Sequence, residues 1–309
     1  MLRITGLKKS YRSFPVLTNL NMNIDKGDVY GLVGTNGCGK TTTMNIICNI
    51  IPKDDGDIAF DDGALKIGYL PEMPALYGYM NGFEYLDFIG ACCDYGGDIR
   101  ARTSEVLHLT GMIESAGRLI KGYSRGMNQR IGIAAAIYAD PDLLILDEPT
   151  SALDPAGRAE VMEIITRLAA TGSTIILCTH ILADVERVAN KVGILRNGVM
   201  AVEGTLTDVV KQFGNSTAVI YVQLRYAPQS TDPLCAIDVV ESSEIGQNSL
   251  TLYAKKGVSE AELYYKVITT MLNYGVVPEN IGFRRMTLEQ IYLGVNSDMI
   301  RTVASGGWF

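Results

Sequence analysis

Several things are scarce in this sequence, and each scarcity excludes a class of protein. No run of 18 or more apolar residues occurs. The longest apolar candidates, around 131–139 and 143–146, are too short to cross a bilayer as a helix. The opening residues, Met1-Leu2-Arg3-Ile4-Thr5, begin an alternating strand and lack the apolar core of a secretion signal. Any membrane role is therefore expected to be peripheral. Basic residues do not dominate: 27 Lys and Arg stand against 34 Asp and Glu, a net charge of −7. Nucleic acid is accordingly not expected as a main partner. The six cysteines (Cys38, Cys48, Cys92, Cys93, Cys178 and Cys235) show no paired zinc-ligand spacing. Cys38 falls where a disulfide would obstruct the loop described next, which points to a reducing, cytoplasmic setting. The other five read as small buried hydrophobes. No internal repeat or low-complexity tract is found.

Against that background one stretch stands out: Gly34-Thr35-Asn36-Gly37-Cys38-Gly39-Lys40-Thr41-Thr42. Two glycines with four residues between them, followed by Lys-Thr, fit a phosphate-binding loop. Glycines let backbone N–H groups turn inward and cradle a polyphosphate. Asn36, Gly37, Cys38, Gly39, Lys40, Thr41 and Thr42 are the expected binding residues. Lys40 would reach the β/γ-phosphates, and the Thr41 hydroxyl would sit on Mg²⁺. The context agrees. The loop follows an apolar run, Val29-Tyr30-Gly31-Leu32-Val33, and opens a segment with Met44, Ile47 and Ile51 at helical spacing. A helix N-terminus there would add free N–H groups and a favourable dipole. A Rossmann dinucleotide site gives Lys-Thr no role.

The 309 residues are enough for about two domains, and 47% hydrophobic content suits a chain with a real core. Leu20, Met22 and Ile24 alternate with polar residues, as in a half-buried strand of an antiparallel sheet. Residues 54–70 read as a hairpin turning at Asp61-Asp62-Gly63. From about 73 to 140 the spacing turns helical. Strands are then expected at 143–146, 175–178 and 192–195, with helices at 156–170 and 182–189 between them. That alternation implies a mainly parallel α/β sheet. After about residue 214 the phosphate-related chemistry stops. Strands near 219–224 and 250–253 and a helix near 259–272 read as a small α+β domain without a catalytic constellation.

The second half of a site appears at Leu143-Leu144-Ile145-Leu146-Asp147-Glu148, an apolar strand ending in two carboxylates. In a nucleotide hydrolase Asp147 can join the Mg²⁺ shell, and Glu148 can orient and deprotonate the attacking water. Such base assistance contributes about 10²–10⁴ in rate. Next come Pro149-Thr150-Ser151-Ala152-Leu153-Asp154. Upstream lies Tyr123-Ser124-Arg125-Gly126-Met127-Asn128-Gln129-Arg130, and downstream Thr179-His180. In this order, over residues 1 to about 215, these motifs resemble the ATP-binding domain of ABC transporters. The C-terminal Met286-Thr287-Leu288-Glu289-Gln290-Ile291-Tyr292 resembles the accessory tail of exporter-type members.

The resemblance implies an α/β fold: a P-loop NTPase core over 1–214, with an antiparallel β subdomain and a helical insertion at about 73–140. A C-terminal α+β accessory domain would occupy 215–309. It implies Mg²⁺-dependent ATP hydrolysis by a head-to-tail pair of ATP-binding subunits, here two copies of one chain. The pair would power export through a separate multi-spanning permease on the cytoplasmic face of the membrane. Residue by residue, Tyr11 would stack on adenine, worth about 1–3 kcal/mol. Lys40, Glu148 and His180 would form the catalytic group. Ser124 and Gly126 would contact the γ-phosphate bound by the second subunit, and Asp154 would lie in the loop coupling the two. His108, in Val106-Leu107-His108-Leu109, reads as structural. The aromatics after position 72, Tyr77 and Tyr79 among them, form either a helical core or a groove for a membrane helix.

Two positions depart from the family pattern. Glu72 stands where the family usually has Gln; it could still bind metal or water, at the cost of negative charge near phosphate. The signature reads Tyr-Ser-Arg-Gly-Met instead of Leu-Ser-Gly-Gly-Gln, keeping Ser124 and Gly126; Arg125 either adds favourable charge there or faces solvent, the latter being the expectation. An alternative, a soluble ATPase acting on ribosomes or DNA, would bring tandem ATP domains or long coiled-coil insertions, and neither is seen. A non-hydrolysing regulatory module is disfavoured by Lys40, Asp147, Glu148 and His180 together.

Overall fold

The computed structural model describes residues 1–61, 63, 65–213, 218–225, 232–255, 257–283, 287–289 and 291–292. Two compact units emerge, Met1–Leu206 and Thr207–Phe309. The division falls at the start of helix α7 (Leu206–Phe213), eight residues before the boundary read from the sequence.

The first unit contains strands β1 (Leu2–Tyr11), β2 (Phe14–Ile24), β3 (Val29–Gly34), β4 (Asp55–Phe60), β5 (Ile67–Leu70), β6 (Leu143–Asp147), β7 (Thr174–Thr179), β8 (Lys191–Arg196) and β9 (Val199–Thr205). Its helices are α1 (Lys40–Ile47), α2 (Gly82–Cys92), α3 (Ile99–Leu109), α4 (Arg125–Ala136), α5 (Pro155–Ala170) and α6 (Leu182–Val188). The strands form one mixed sheet in the order β4-β1-β2-β9-β8-β3-β7-β6-β5. Strands β3, β6 and β7 pair in parallel and are buried at every residue. Their near-continuous apolar sequences follow from being covered on both faces. They end together, which brings the phosphate loop, Asp147-Glu148 and Thr179-His180 to one edge.

The expected 54–70 hairpin does not form. Strand β4 pairs antiparallel with β1, while β5 pairs in parallel with β6 at the far end of the sheet order. Periodicity identified both strands but carries no information about partners. Asp142 helps fix the actual pairing: its carboxylate accepts the Lys66 N–H at 2.9 Å, and its own N–H donates to the Lys66 carbonyl at 2.8 Å. This order also requires curvature. Phe60 and Ile67 can be at most about 25 Å apart along the chain. A flat sheet would separate β4 from β5 by about 38 Å. The sheet therefore curls, and Phe60 and Ile67 pack on the same core cluster as Leu2, Leu20, Tyr30, Met44 and Ile145.

The region from about 73 to 140 contains α2, α3 and α4, joined by loops and short turns. Asn81 and Glu84 form a reciprocal capping box at α2, and Asp98 caps α3. Buried Arg102 donates to the carbonyls of Ile137 and Tyr138, tying α3 to the C-terminal end of α4. Cys92 and Cys93 are exposed, contrary to their reading as buried hydrophobes, because they lie at the solvent-facing end of α2; all six thiols are free. His108 is exposed in the last turn of α3, where a basic group suits the helix dipole.

The second unit, taken by itself, contains β10 (Val219–Leu224), α8 (Asp232–Cys235), β11 (Val240–Ile245), β12 (Ser249–Ala254), α9 (Glu260–Asn273) and β13 (Pro278–Phe283). Its antiparallel sheet runs β11-β12-β10-β13. Helix α9 starts at a Ser259 cap and buries Leu263, Val267 and Met271, one helical face, in a cluster with Ile220, Val222, Leu250 and Leu252. Of the motif at 286–292, Leu288 and Ile291 are buried, whereas Met286 and Gln290 lie outside the described residues. Among the described residues no helix is long and apolar enough to cross a membrane.

Candidate functional site

The loop between β3 and α1 is shaped by its glycines. Gly37 has φ 79° and Gly39 φ 114°, values that favour glycine. A side chain at Gly39 would also bring its Cβ within 2.6 Å of Leu17 Cδ2. The loop thus turns tightly into α1, whose first residue is Lys40. The Lys40 ammonium is buried and donates to the carbonyls of Gly34 at 2.8 Å and Thr35 at 3.4 Å. Asn36, Gly37 and Thr41 are exposed, Thr42 is half-buried, and Cys38 is buried with its thiol pushed up by burial.

The carboxylates after β6 sit beside this loop. Glu148 Oε1 is 3.8 Å from Lys40 Nζ, and Oε2 is 2.9 Å from His180 Nδ1. The Thr179 hydroxyl also donates to Oε2 at 3.3 Å, a contact that sequence reasoning missed. Glu148 adopts φ 47°, a left-handed conformation uncommon for a non-glycine residue. It is fixed there by its N–H donating to the Cys178 carbonyl at 2.8 Å. Glu148 is buried, while the His180 ring is half exposed. The site therefore presents a buried carboxylate held by the Lys40 ammonium on one side and by the His180 ring and the Thr179 hydroxyl on the other.

Asp147 is 1% exposed, and neither carboxylate oxygen has a hydrogen-bond partner of normal geometry. Burial pushes its pKa above the usual carboxylate range. The neighbouring Thr41 hydroxyl and Lys40 oppose that rise, and the charges of Glu148 and Glu72 reinforce it. A buried carboxylate with free lone pairs beside a hydroxyl is a donor set that fits a hard divalent cation, which Mg²⁺ sites complete with substrate phosphates and water. Glu72 is exposed, so its field reaches Asp147 while its side chain faces solvent. Its carbonyl accepts from the Gln129 amide at 3.2 Å, linking the Glu72 loop to α4.

The raised pKa has a consequence for stability. A carboxyl whose folded pKa exceeds its unfolded value, about 3.9, costs nothing below that value. It weakens the fold progressively as pH rises through the folded pKa. Asp147→Asn is therefore expected to stabilise the nucleotide-free protein at pH 7 by about 0.5–2 kcal/mol while removing activity. Thermal unfolding across pH 4–8 checks this: the gain should shrink toward pH 4.

The structure groups Lys40, Asp147, Glu148 and His180, with Thr41 next to Asp147. Ser124, Gly126 and Tyr11 make no hydrogen bond or ion pair with any of these among the described residues. Ser124 caps α4 by accepting the Met127 N–H at 3.2 Å, and exposed Arg125 is the first residue of that helix. Gly126 faces Gly157 of α5, with 3.8 Å between its Cβ direction and that Cα. Tyr11 lies half exposed at the tip of the β1–β2 hairpin, with Lys9 Nζ 5.8 Å from its ring centre. Asp154 caps α5 through the Gly157 N–H at 3.1 Å.

Comparison with known proteins decides what this arrangement belongs to. The family model described as ABC transporter matches residues 17–151. The linearmycin resistance ATP-binding protein LnrL of Bacillus subtilis (strain 168) is 31% identical over 97% of this chain and 100% of its own length. The chain belongs to the ATP-binding subunits of ABC transporters. Among other members, the lantibiotic transport ATP-binding protein SrtF of Streptococcus pyogenes is 38% identical over 66% of this chain and 90% of its own. A dimeric ATP-binding cassette, MJ0796, solved in a post-hydrolysis state with ADP and Pi, superposes with a TM-score of 0.60. It is 25% identical, over 67% of this chain and 99% of that one. This ABC subunit thus carries an α/β P-loop NTPase core that binds and hydrolyses ATP.

Proposed function

We propose that this subunit works as one of a head-to-tail pair that powers export through a separate multi-spanning membrane protein, on whose cytoplasmic face it sits. The observation that carries the reading is the separation of the two half-sites. Lys40, Asp147, Glu148 and His180 share hydrogen bonds, ion pairs or a common field, whereas the exposed Ser124 stands at the N-terminus of α4. A second copy, turned so that its α4 faces the first copy's phosphate loop, completes each site. Each pair then closes over two ATP molecules and reopens after hydrolysis. The dimeric form of the MJ0796 cassette supports the pairing. The words "resistance" and "lantibiotic transport" in the names of two relatives support export.

Within the site, Thr41 and Asp147, with Glu72 nearby, would hold Mg²⁺, which offsets phosphate charge. Lys40 binds the β/γ-phosphates, Glu148 takes the proton of the attacking water, and His180 orients Glu148 and meets the γ-phosphate. Tyr11 offers its ring to adenine.

An aromatic patch supplies the surface for the membrane subunit. The Tyr77 ring lies 5.8 Å from Tyr79, 6.2 Å from Tyr85 and 5.6 Å from Phe88. Tyr85 is buried and anchors the group, while Tyr79 is 71% exposed. A cytoplasmic helix of the permease would lay its apolar face there. Affinity purification of the tagged chain from detergent-solubilised native membranes tests the reading. A stoichiometric multi-spanning partner is expected, with recovery falling about tenfold or more for Tyr79→Glu. Recovery only with ribosomes or DNA-binding proteins would overturn it.

A further inference from the structure

A buried carboxylate, that of Asp184, is not explained by any of the roles above. Asp184, in the first turn of α6, is 3% exposed. Its Oδ2 accepts the Thr150 hydroxyl at 2.6 Å. Its Oδ1 accepts Arg158 Nε at 2.9 Å and lies 2.8 Å from a second guanidinium nitrogen. Thr150 is itself 2% exposed. Three segments therefore meet at one side chain: the loop after β6, the first turns of α5, and the helix that follows His180.

The placement of these bonds matters. Thr150 lies two residues after Glu148, and Asp184 four after His180. The loop from Glu148 to Asp154 is held at one end by the Glu148 N–H bond to Cys178 and at the other by the Asp154 cap on α5. Within it, Ser151 and Leu153 bond only back into the loop, to the carbonyls of Glu148 and Thr150. The Thr150–Asp184 bond fastens the middle of that loop to the segment carrying His180.

We infer that Asp184 and Thr150 are positioning residues. They lock the loop after β6 to the His180 segment, so that Glu148 and His180 keep the mutual orientation in which Glu148 acts on water. The inference rests on the reading of Glu148 as the base. It assigns no contact with nucleotide to either residue. Losing the lock should therefore cost turnover and spare nucleotide affinity, because misplacement of a reacting group by about 1 Å can cost about 10²-fold.

Thr150→Val is the informative variant. It keeps the β-branched shape, removes the hydroxyl, and leaves the Asp184–Arg158 pair intact. In steady-state ATP hydrolysis kcat should fall about 10–100-fold with KM within about twofold of the parent. Thr150→Ser, which restores the hydroxyl, should recover kcat to within about threefold of the parent. The double variant with Asp184→Asn should lose little more than either single one. Parent kcat in Thr150→Val overturns the inference, as does a loss that tracks the thermal midpoint or that serine does not rescue. Glu148→Gln run in parallel separates the two levels: normal turnover there removes Glu148 as the base, whatever Thr150 does.

Discussion

Glu148→Gln is expected to lower ATP turnover by about 10²–10⁴-fold while ATP binding persists. The substitution keeps the size of the side chain and its capacity to bond Thr179 and His180, which approach Oε2 at 3.3 and 2.9 Å. It removes the basicity and the attraction to Lys40 at 3.8 Å. The phosphate loop is untouched, because Lys40 is positioned by the Gly34 and Thr35 carbonyls independently of Glu148. Closure without hydrolysis should then trap the pair. Phosphate release and size-exclusion chromatography with and without ATP measure both effects. Normal turnover would show that the proton goes elsewhere.

Ser124→Arg is expected to abolish ATP-dependent pairing and to cut turnover about 100-fold or more, the scale for removing one donor to a reacting oxyanion. ATP binding to the single chain should survive, since no bond links Ser124 to the Lys40 group. The substitution also removes an N-cap, which costs about 0.5–2 kcal/mol. Ser124→Asp separates the two effects. Asp still accepts from the Met127 N–H and so preserves α4, yet it sets negative charge against the γ-phosphate. Both variants should remain single in ATP, and Asp should keep the parent's thermal midpoint. Pairing in either variant, followed by light scattering, would contradict the head-to-tail arrangement.

Most of the first unit was legible because its chemistry is local in sequence. The phosphate loop announces itself through glycines at positive φ followed by Lys-Thr, and β6 through an apolar run ending in Asp147-Glu148. The buried strands β3 and β7 read the same way. What escaped was pairing across long separations. Nothing within residues 54–70 states that β4 sits beside β1 and β5 beside β6; the decisive partners, Asp142 with Lys66, are 76 residues apart. The Thr179 hydroxyl and the Asp184 carboxylate were missed for the same reason. Thr and Asp are common at strand and helix ends, and only the fold brings them to Glu148 and Thr150. Strands β9, β11 and β13 lack a clear alternation: β11 buries one residue of six, and β13 none fully.

The sheet order sets a timetable for synthesis. The phosphate loop leaves the ribosome early, but β3 lies between β7 and β8, which end at Thr179 and Arg196. Arg196 follows Gly34 by about 160 residues, roughly 8–30 s of translation. Until Thr179 emerges β3, apolar at almost every position, has neither flanking strand, and it gains the second only with Arg196. The nascent chain therefore carries an unsheltered hydrophobic ribbon and, until Glu148 emerges, a nucleotide loop without its carboxylates. Chaperone protection is needed most before β8 emerges, and ATP can favour the folded state only afterwards.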